Sequence, residues 1–188
     1  IPHGSWNGAI FYNCTSLTSM TVPEGVEVIP AHAFTSANTL QEIHLPESLT
    51  TIGESAFQSC SVLKKINIPD GVTVIHKWAF ENCKALEKLE LPDSITTIGY
   101  RAFAECTSLS SINYPLNWTN TIPHGSWNGG IFYNCTSLLE MTIPEGVEQI
   151  APHAFESANC LQKITLPQES LTTLGTGAFA GCTVLTEV

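Results

Sequence analysis

Basic residues are scarce in this chain of 188 residues. Seven Lys and Arg face 17 Asp and Glu, which gives a net charge of −10 at pH 7. A chain this acidic repels phosphate backbones and anionic headgroups, so we expect neither nucleic acid nor anionic membrane as a partner. The sequence also lacks an apolar run long enough to cross a bilayer, so we expect no membrane insertion in this segment.

Catalytic and cofactor motifs are missing as well. There is no P-loop, no dinucleotide fingerprint, no metalloprotease helix motif and no G-x-S-x-G elbow. No C-x-x-C pair offers the ligand spacing of a structural zinc site. The six histidines form no catalytic set, and several are copies made by an internal repeat. We therefore expect a protein that is not an enzyme and that holds no metal or cofactor.

What the chain does have is periodicity. All eight phenylalanines recur at steps of 23, 23, 23, 23, 29, 23 and 24 residues. Such a register predicts a solenoid, in which each turn buries its apolar face only against its neighbours. The phenylalanines are Phe11, Phe34, Phe57, Phe80, Phe103, Phe132, Phe155 and Phe179.

A proline and a leucine follow most of these phenylalanines at fixed distances. In the turn that contains Phe80, Leu86-Glu87-Lys88-Leu89-Glu90-Leu91 alternates apolar and polar residues, which predicts a half-buried strand. Pro92 ends the strand because it cannot donate to a ladder. Identical turns must stack as parallel strands about 4.8 Å apart, so seven steps predict a continuous sheet of roughly 34 Å.

These motifs resemble a known family. Leu63-x-x-Ile66-x-Ile68 and Leu86-x-x-Leu89-x-Leu91 are L-x-x-L-x-L cores, and the added P-[DE]-[SG]-[VIL]-x-x-I-[GH]-x-x-A-F-x-x-C is similar to BspA-type leucine-rich repeats. The resemblance implies a mainly β fold. It would be a right-handed leucine-rich-repeat solenoid with a parallel concave sheet and short turns or 3₁₀ pieces on the convex side. It also implies microbial surface proteins that bind other proteins or matrix, with no catalytic residues.

A longer repeat is superimposed on the short one. The segment 1–17 returns at 122–138 with a single difference, Ala9 against Gly130, at an offset of 121 residues. We therefore interpret residues 1–188 as a single solenoid domain that belongs to a longer array, with the second copy of the 121-residue unit starting near residue 122.

The sequence leaves the redox state of the seven cysteines open. Six of them lie three residues after a repeat phenylalanine, a slot that Ala37 and Ala158 fill in two other turns. Buried free thiols and a ladder of disulfides are the two alternatives, and the alanines favour packing. Cys160 lies outside this register and is the candidate for an exposed thiol.

Two regions are candidates for binding a partner, and each has a structural alternative. The first is the outward side of the concave strands, which is polar and poor in aromatics, so it is either a receptor surface or a solvated sheet face. The second is the loop inserted between Phe103 and Phe132, whose tryptophans either anchor a protein or glycan ligand, or fold back to cover the longer turn. The concave candidates are Glu42, His44, Lys65, Asn67, Lys88 and Glu90, and the loop candidates are Trp118, His124, Trp127 and the earlier copy Trp6.

Modification and cation sites are weaker candidates. Asn117, Asn13 and Asn134 begin N-x-[ST] sequences, which are N-glycosylation acceptors. An acidic residue follows the repeat proline in five turns, as Glu24, Glu47, Asp70, Asp93 and Glu145. Stacked carboxylates could gather Ca²⁺, or they could be solvated turn residues.

Two functions remain open from the sequence. One is a non-catalytic interaction module of a cell-surface or secreted protein, adhesion-like or receptor-like, that binds a protein or glycan. The other is a structural array in which many 121-residue units self-associate into an extracellular fibre or coat. The unpaired cysteines keep an intracellular location as an alternative.

Overall fold

The chain folds as a mainly β solenoid of about six turns built from parallel strands. The structure, a computed structural model, describes residues 8–118 and 129–188. Within those two ranges it contains short strands and turns but no helix.

Thirteen strands follow each other along residues 8–118 and 129–188, and each is two or three residues long. They are β1 (Ser19–Thr21), β2 (Val28–Ile29), β3 (Glu42–His44), β4 (Thr51–Ile52), β5 (Lys65–Ile66), β6 (Val74–Ile75), β7 (Lys88–Leu89), β8 (Thr97–Ile98), β9 (Ser111–Ile112), β10 (Glu140–Thr142), β11 (Gln149–Ile150), β12 (Lys163–Thr165) and β13 (Thr173–Leu174).

The predicted concave sheet is present and has the predicted register. Strands β1, β3 and β5 pair in parallel, as do β7 with β9 and β10 with β12. The middle residue faces inward, so Ile43, Ile66 and Leu89 are buried while their strand neighbours are exposed. The sheet is not continuous, however, because neither β5 with β7 nor β9 with β10 forms a hydrogen-bonded pair.

The return segment of each turn forms a second parallel sheet, which sequence reasoning did not predict as strands. Here β2, β4, β6 and β8 pair in order, and β11 pairs with β13. Ile29, Ile52, Ile75 and Ile98 face the core from this side. Two apolar faces per turn are therefore available to close the interior.

The convex side consists of turns, as predicted, and the described part holds no 3₁₀ segment there. Its backbone still forms a ladder: the N–H of Phe57 donates to Ala79 at 2.8 Å and that of Phe80 to Ala102 at 2.7 Å. The residues two before and two after the phenylalanine have left-handed φ angles, 58° at Trp78 and 64° at Asn82. That conformation turns alternate N–H groups toward the next turn, as the Asn82 to Ala104 bond at 2.8 Å shows.

The eight phenylalanines form one stack through the centre of the solenoid. Successive ring centroids lie between 5.1 Å and 5.9 Å apart. Phe80, in the middle, has no exposed surface, and only the outermost rings, Phe11 and Phe179, are half-buried. The predicted continuous core is therefore confirmed, and its widest step is the one from Phe103 to Phe132.

Candidate functional site

The concave candidates lie together on one exposed face, which we call the concave groove. Glu42, His44, Lys65, Asn67, Lys88 and Glu90 all project from consecutive strands and line a groove of about 670 Å³. Strand alternation places them there because their neighbours Ile43, Ile66 and Leu89 occupy the core side. With Ser111 and Asn113 of the next turn, one face of the solenoid collects the polar residues of four turns.

The groove carries charges of both signs at short range. The Glu42 carboxylate lies 3.6 Å from the His44 imidazole, and Lys65 and Lys88 follow on the next two turns. Both lysines and both glutamates of the groove are exposed, so each keeps its solvation and can exchange it for a partner's group. Such a surface suits hydrogen bonds and ion pairs to a polar partner, and it offers no aromatic anchor.

The position of Trp118 decides between the two interpretations of this residue, an exposed anchor or a side chain folded back onto the solenoid. Its side chain is only 4% exposed and packs on Tyr114, with ring centroids 4.4 Å apart. Trp118 lies three residues after Pro115, which is the slot that Ile95 fills in the preceding turn. It is therefore a core residue of the repeat and is not available as an exposed anchor.

The remaining loop candidates lie outside the described residues: Trp6, His124 and Trp127. Of the three N-glycosylation acceptors, Asn13 and Asn117 are exposed and Asn134 is partly buried. The Asn117 amide donates to the Asp93 carbonyl at 2.8 Å. All three sites stay predictions.

The register cysteines are free thiols with a structural hydrogen bond. The thiol of Cys83 donates to the carbonyl of Phe57 at 3.2 Å, and that of Cys106 to Phe80 at 3.2 Å. Cys60, Cys135 and Cys182 make the same contact with the carbonyls of Phe34, Phe103 and Phe155. The Phe57 carbonyl already accepts the N–H of Cys60 at 3.1 Å, so the thiol satisfies a second lone pair inside the core.

Burial makes most of these thiols unreactive. It raises the pKa of Cys60 and of Cys135 to about 12. Burial likewise holds the pKa of Cys83 and Cys106 well above the ordinary value. Cys160 is the one thiol of the seven that is exposed and neither buried nor half-buried, in agreement with its place outside the register.

Two of the five acidic residues after the repeat prolines accept hydrogen bonds from the backbone of the next turn. The Glu145 carboxylate accepts the N–H of Gln168 at 2.7 Å, and Asp93 accepts the N–H of Leu116 at 3.3 Å. Hydrogen bonds from the backbone lower the pKa of Glu145. In the part of the chain that the structure describes, no three Asp, Glu, His or Cys side chains converge on a metal position.

A cleft on the concave face escaped the sequence reasoning. It separates β9 from β10, has a volume of about 850 Å³, and is lined by Ile112, Asn113, Leu139, Met141 and Thr142 among others. One sequence signal could have indicated it: seven residues after the repeat phenylalanine every turn has a polar residue except the sixth, which has Leu139.

A cluster of aromatic and basic side chains on the convex side was also missed. The Arg101 guanidinium lies 4.4 Å from the ring centroid of Tyr133 and 3.5 Å from the Glu81 carboxylate. Trp78 and Tyr100 continue the cluster, with centroids 6.0 Å apart. These contacts join turns on both sides of the insertion, so the cluster is satisfied internally.

The repeat geometry now matches a defined protein family. The family model described as BspA type leucine rich repeat region (6 copies) matches residues 6–127 and 126–188. The chain belongs to the BspA-type leucine-rich repeat family. No curated protein matches the sequence. Within the described ranges, no helix has the length and apolar character needed to span a bilayer.

Solved structures of bacterial leucine-rich repeat proteins have the same fold. A leucine-rich repeat protein of T. pallidum is 29% identical over 90% of this chain and 78% of its own, with a TM-score of 0.80. One from Bacteroides ovatus is 29% identical over 89% of this chain and 42% of its own, also with a TM-score of 0.80. A leucine-rich cell surface protein of Faecalibacterium prausnitzii is 26% identical over 95% of this chain and 61% of its own, with a TM-score of 0.57.

Proposed function

We propose that this BspA-type solenoid is a non-catalytic interaction module of a cell-surface or secreted protein, and that its concave groove binds a protein partner. The observation that carries the proposal is the groove itself. It gathers exposed acidic, basic and amide side chains from four consecutive turns on one face. The name of the similar cell surface protein from F. prausnitzii supports the location.

The physical argument rests on rigidity and complementarity. The groove side chains stand on strands that the phenylalanine stack holds in place, so binding orders little backbone. Charges of both signs on consecutive turns favour a partner with the complementary pattern and reject others. Without an aromatic anchor, we expect binding that is selective and sensitive to salt.

A charge-reversal pair tests the groove. The purified protein is measured against an array of purified extracellular-matrix glycoproteins, before and after Lys65→Glu with Lys88→Glu. We expect any interaction to weaken at least tenfold. The matched control is Lys64→Glu with Lys84→Glu, which changes the same charge in the same two turns but lies outside the groove. Equal losses in both variants would show a nonspecific charge effect and contradict the proposal.

A structural array is the second candidate function, and the 121-residue repeat favours it. Near-identical units can present the same contact at regular intervals, so copies could associate side by side. Trp127 and His124 in the inserted loop, with the earlier copy Trp6, are the proposed contact residues. Sedimentation of the chain across concentrations, with Trp127→Ala as the variant, tests this. Concentration-dependent association that the variant abolishes would favour the array over the groove.

A further inference from the structure

The concave face opens between β9 and β10. These strands follow each other on that face but are not hydrogen-bonded to one another, and the cleft of about 850 Å³ lies between them. On the convex side the same two turns stay joined, because the N–H of Glu105 donates to Tyr133 at 2.7 Å and that of Phe103 to Ile131 at 3.0 Å. We call this opening the seam cleft. It is defined by Ile112, Asn113, Leu139, Glu140, Met141 and Thr142.

Backbone groups of both strands face the seam cleft. A strand in a parallel sheet uses alternate residues for its two neighbours. The N–H groups of Val22 and Ile143 donate forward, to His44 and Thr165, from the slot that Tyr114 fills in the turn of β9. Ile112 lies two residues before that slot and so faces forward, whereas Thr142 lies one residue before Ile143 and so faces back. Both therefore direct their N–H and C=O groups into the cleft. Two strand edges thus present ladder groups toward one space.

Side chains make the seam cleft apolar at its base and lip. Ile112 and Met141 are buried beneath it. Leu139 is 49% exposed at its edge, in the slot where the other turns carry polar residues such as Ser110 and Gln162. An apolar side chain that enters from outside gains a contact with Leu139 without displacing any core residue.

The charge beside the cleft is negative. The lining holds two carboxylates, Glu140 and Glu187, but one cation, Lys163, which lies 2.9 Å from Glu187. The Glu140 side chain is exposed on β10. A basic residue of a ligand would therefore find an acidic neighbour.

We propose that the seam cleft binds an extended polypeptide segment, which adds a strand between β9 and β10 and alternates aliphatic with Lys or Arg residues. A polypeptide fits better than a glycan, because its backbone N–H and C=O groups have the same spacing as those along the two strand edges and can pair with them. The guest needs about 9.6 Å between the flanking strands, twice the usual spacing. The proposal refines the interaction function of the concave face and rests on it.

Hydrogen exchange tests the open edges in the free protein. The amide protons of Ile112 and Thr142 should exchange much faster than those of Ile52 and Ile75, which lie in the middle of a paired sheet. Adding a bound peptide should slow exchange at Ile112 and Thr142 specifically. Strong protection of both amides in the free protein would show that the seam is closed, and would overturn the proposal.

Peptide selection identifies the ligand and separates this proposal from the groove. Phage-displayed random hexapeptides are selected on the folded chain, and the selected peptides are then titrated. We expect alternating aliphatic and basic residues, and at least a tenfold loss of affinity on Glu140→Lys or Leu139→Ser. The matched controls, Glu148→Lys and Leu116→Ser, alter exposed residues outside the cleft and should leave affinity unchanged.

A separate control tests whether the peptide binds through its backbone. Methylation of alternate peptide nitrogens should abolish binding, since it removes ladder donors while keeping every side chain. Failure to select any peptide that distinguishes Leu139→Ser from the parent would overturn the proposal. If selected peptides instead lose affinity only with Lys65→Glu and Lys88→Glu, the concave groove is the site: the proposed function then stands and the seam proposal fails.

Discussion

The register cysteine contributes to packing in the core rather than to reactivity. Its thiol donates to a phenylalanine carbonyl of the preceding turn, a role that alanine in the same slot cannot fill. Buried in this way, Cys60, Cys83, Cys106 and Cys135 have pKa values raised by desolvation. The thiol is thus a small hydrophobic residue with one useful donor.

The raised thiol pKa values predict alkaline instability. Unfolded thiols ionise near pH 9.0, whereas Cys60 and Cys135 in the fold ionise at about 12. Their stabilisation is therefore complete below about pH 9 and is lost as the pH rises toward 12, by about 1.4 kcal/mol per pH unit for each thiol. Urea unfolding at pH 8, 9 and 10 measures this.

Cys83→Ala is the control for that prediction. It should be less stable than the parent at pH 8 by about 1–2 kcal/mol, and the difference should shrink as the pH rises. A difference that stays constant with pH would contradict the assignment. In native protein at pH 8, Cys160 should react first with a thiol reagent, ahead of the buried set.

A separate prediction concerns Trp118, which the sequence offered as a candidate in the binding loop. Because it is buried against Tyr114, Trp118→Ala should lower the free energy of unfolding by about 3–5 kcal/mol. Leu116→Ala, at an exposed position two residues away, should change it by less than about 0.5 kcal/mol. Normal thermal stability of the Trp118 variant would restore the exposed-anchor interpretation.

At the scale of the element, each turn closes through its convex ladder. The position two residues after the phenylalanine has a positive φ in turn after turn, and it is occupied by Asn82 and Asn134 but also by Glu105, whose φ is 60°. Asparagine tolerates the left-handed region better than glutamate does. The same ladder crosses the insertion through the Glu105 to Tyr133 bond.

Glu105→Asn should therefore stabilise the protein by about 0.5–1 kcal/mol in urea unfolding. Glu105→Val should destabilise it, since a β-branched residue fits this conformation poorly. Because the N–H of Asn82 donates to the Ala104 carbonyl, in the peptide bond to Glu105, the valine variant should also speed amide exchange at Asn82 more than at Asn134, which donates to Glu156. If both substitutions have the same sign, backbone conformation is not what governs this position.

At the scale of the whole molecule, the phenylalanine stack makes the turns depend on one another. Phe80 has no exposed surface and contacts the rings of Phe57 and Phe103 at 5.2 Å and 5.4 Å. In a solenoid each turn contacts only its neighbours, so stability is close to a sum of interface contributions. Damage in the middle of the stack therefore weakens two interfaces at once.

Phe80→Ala should lower the free energy of unfolding by about 3–5 kcal/mol. Phe179→Ala, whose ring is half-buried and stacks on one side only, should cost less. Differential scanning calorimetry of both variants measures the contrast. A loss below about 1 kcal/mol for Phe80→Ala would reject the stacked core.

The repeat pattern was sufficient to predict the concave strands, the core and the family. Alternation placed Glu42, Lys65 and Lys88 outside and Ile43, Ile66 and Leu89 inside, and the structure agrees at each position. The second sheet was missed because its two-residue strands are too short to show a period. From the sequence, Trp118 stayed open between an exposed anchor and a residue folded back onto the solenoid, because its register slot three residues after Pro115 was not used.

The sequence by itself determined the features that its period marks directly: the solenoid, the phenylalanine stack, the register of the cysteines and the exposed polar face of the concave strands. These features depend on which residues stack on their own copies, and a fixed period sets that directly. Only the tertiary structure decided what happens where the period breaks. It showed that the convex ladder continues from Glu105 to Tyr133 while β9 and β10 separate. Which side of the longer turn keeps its backbone pairing depends on how that turn packs in three dimensions, and no repeat period specifies this.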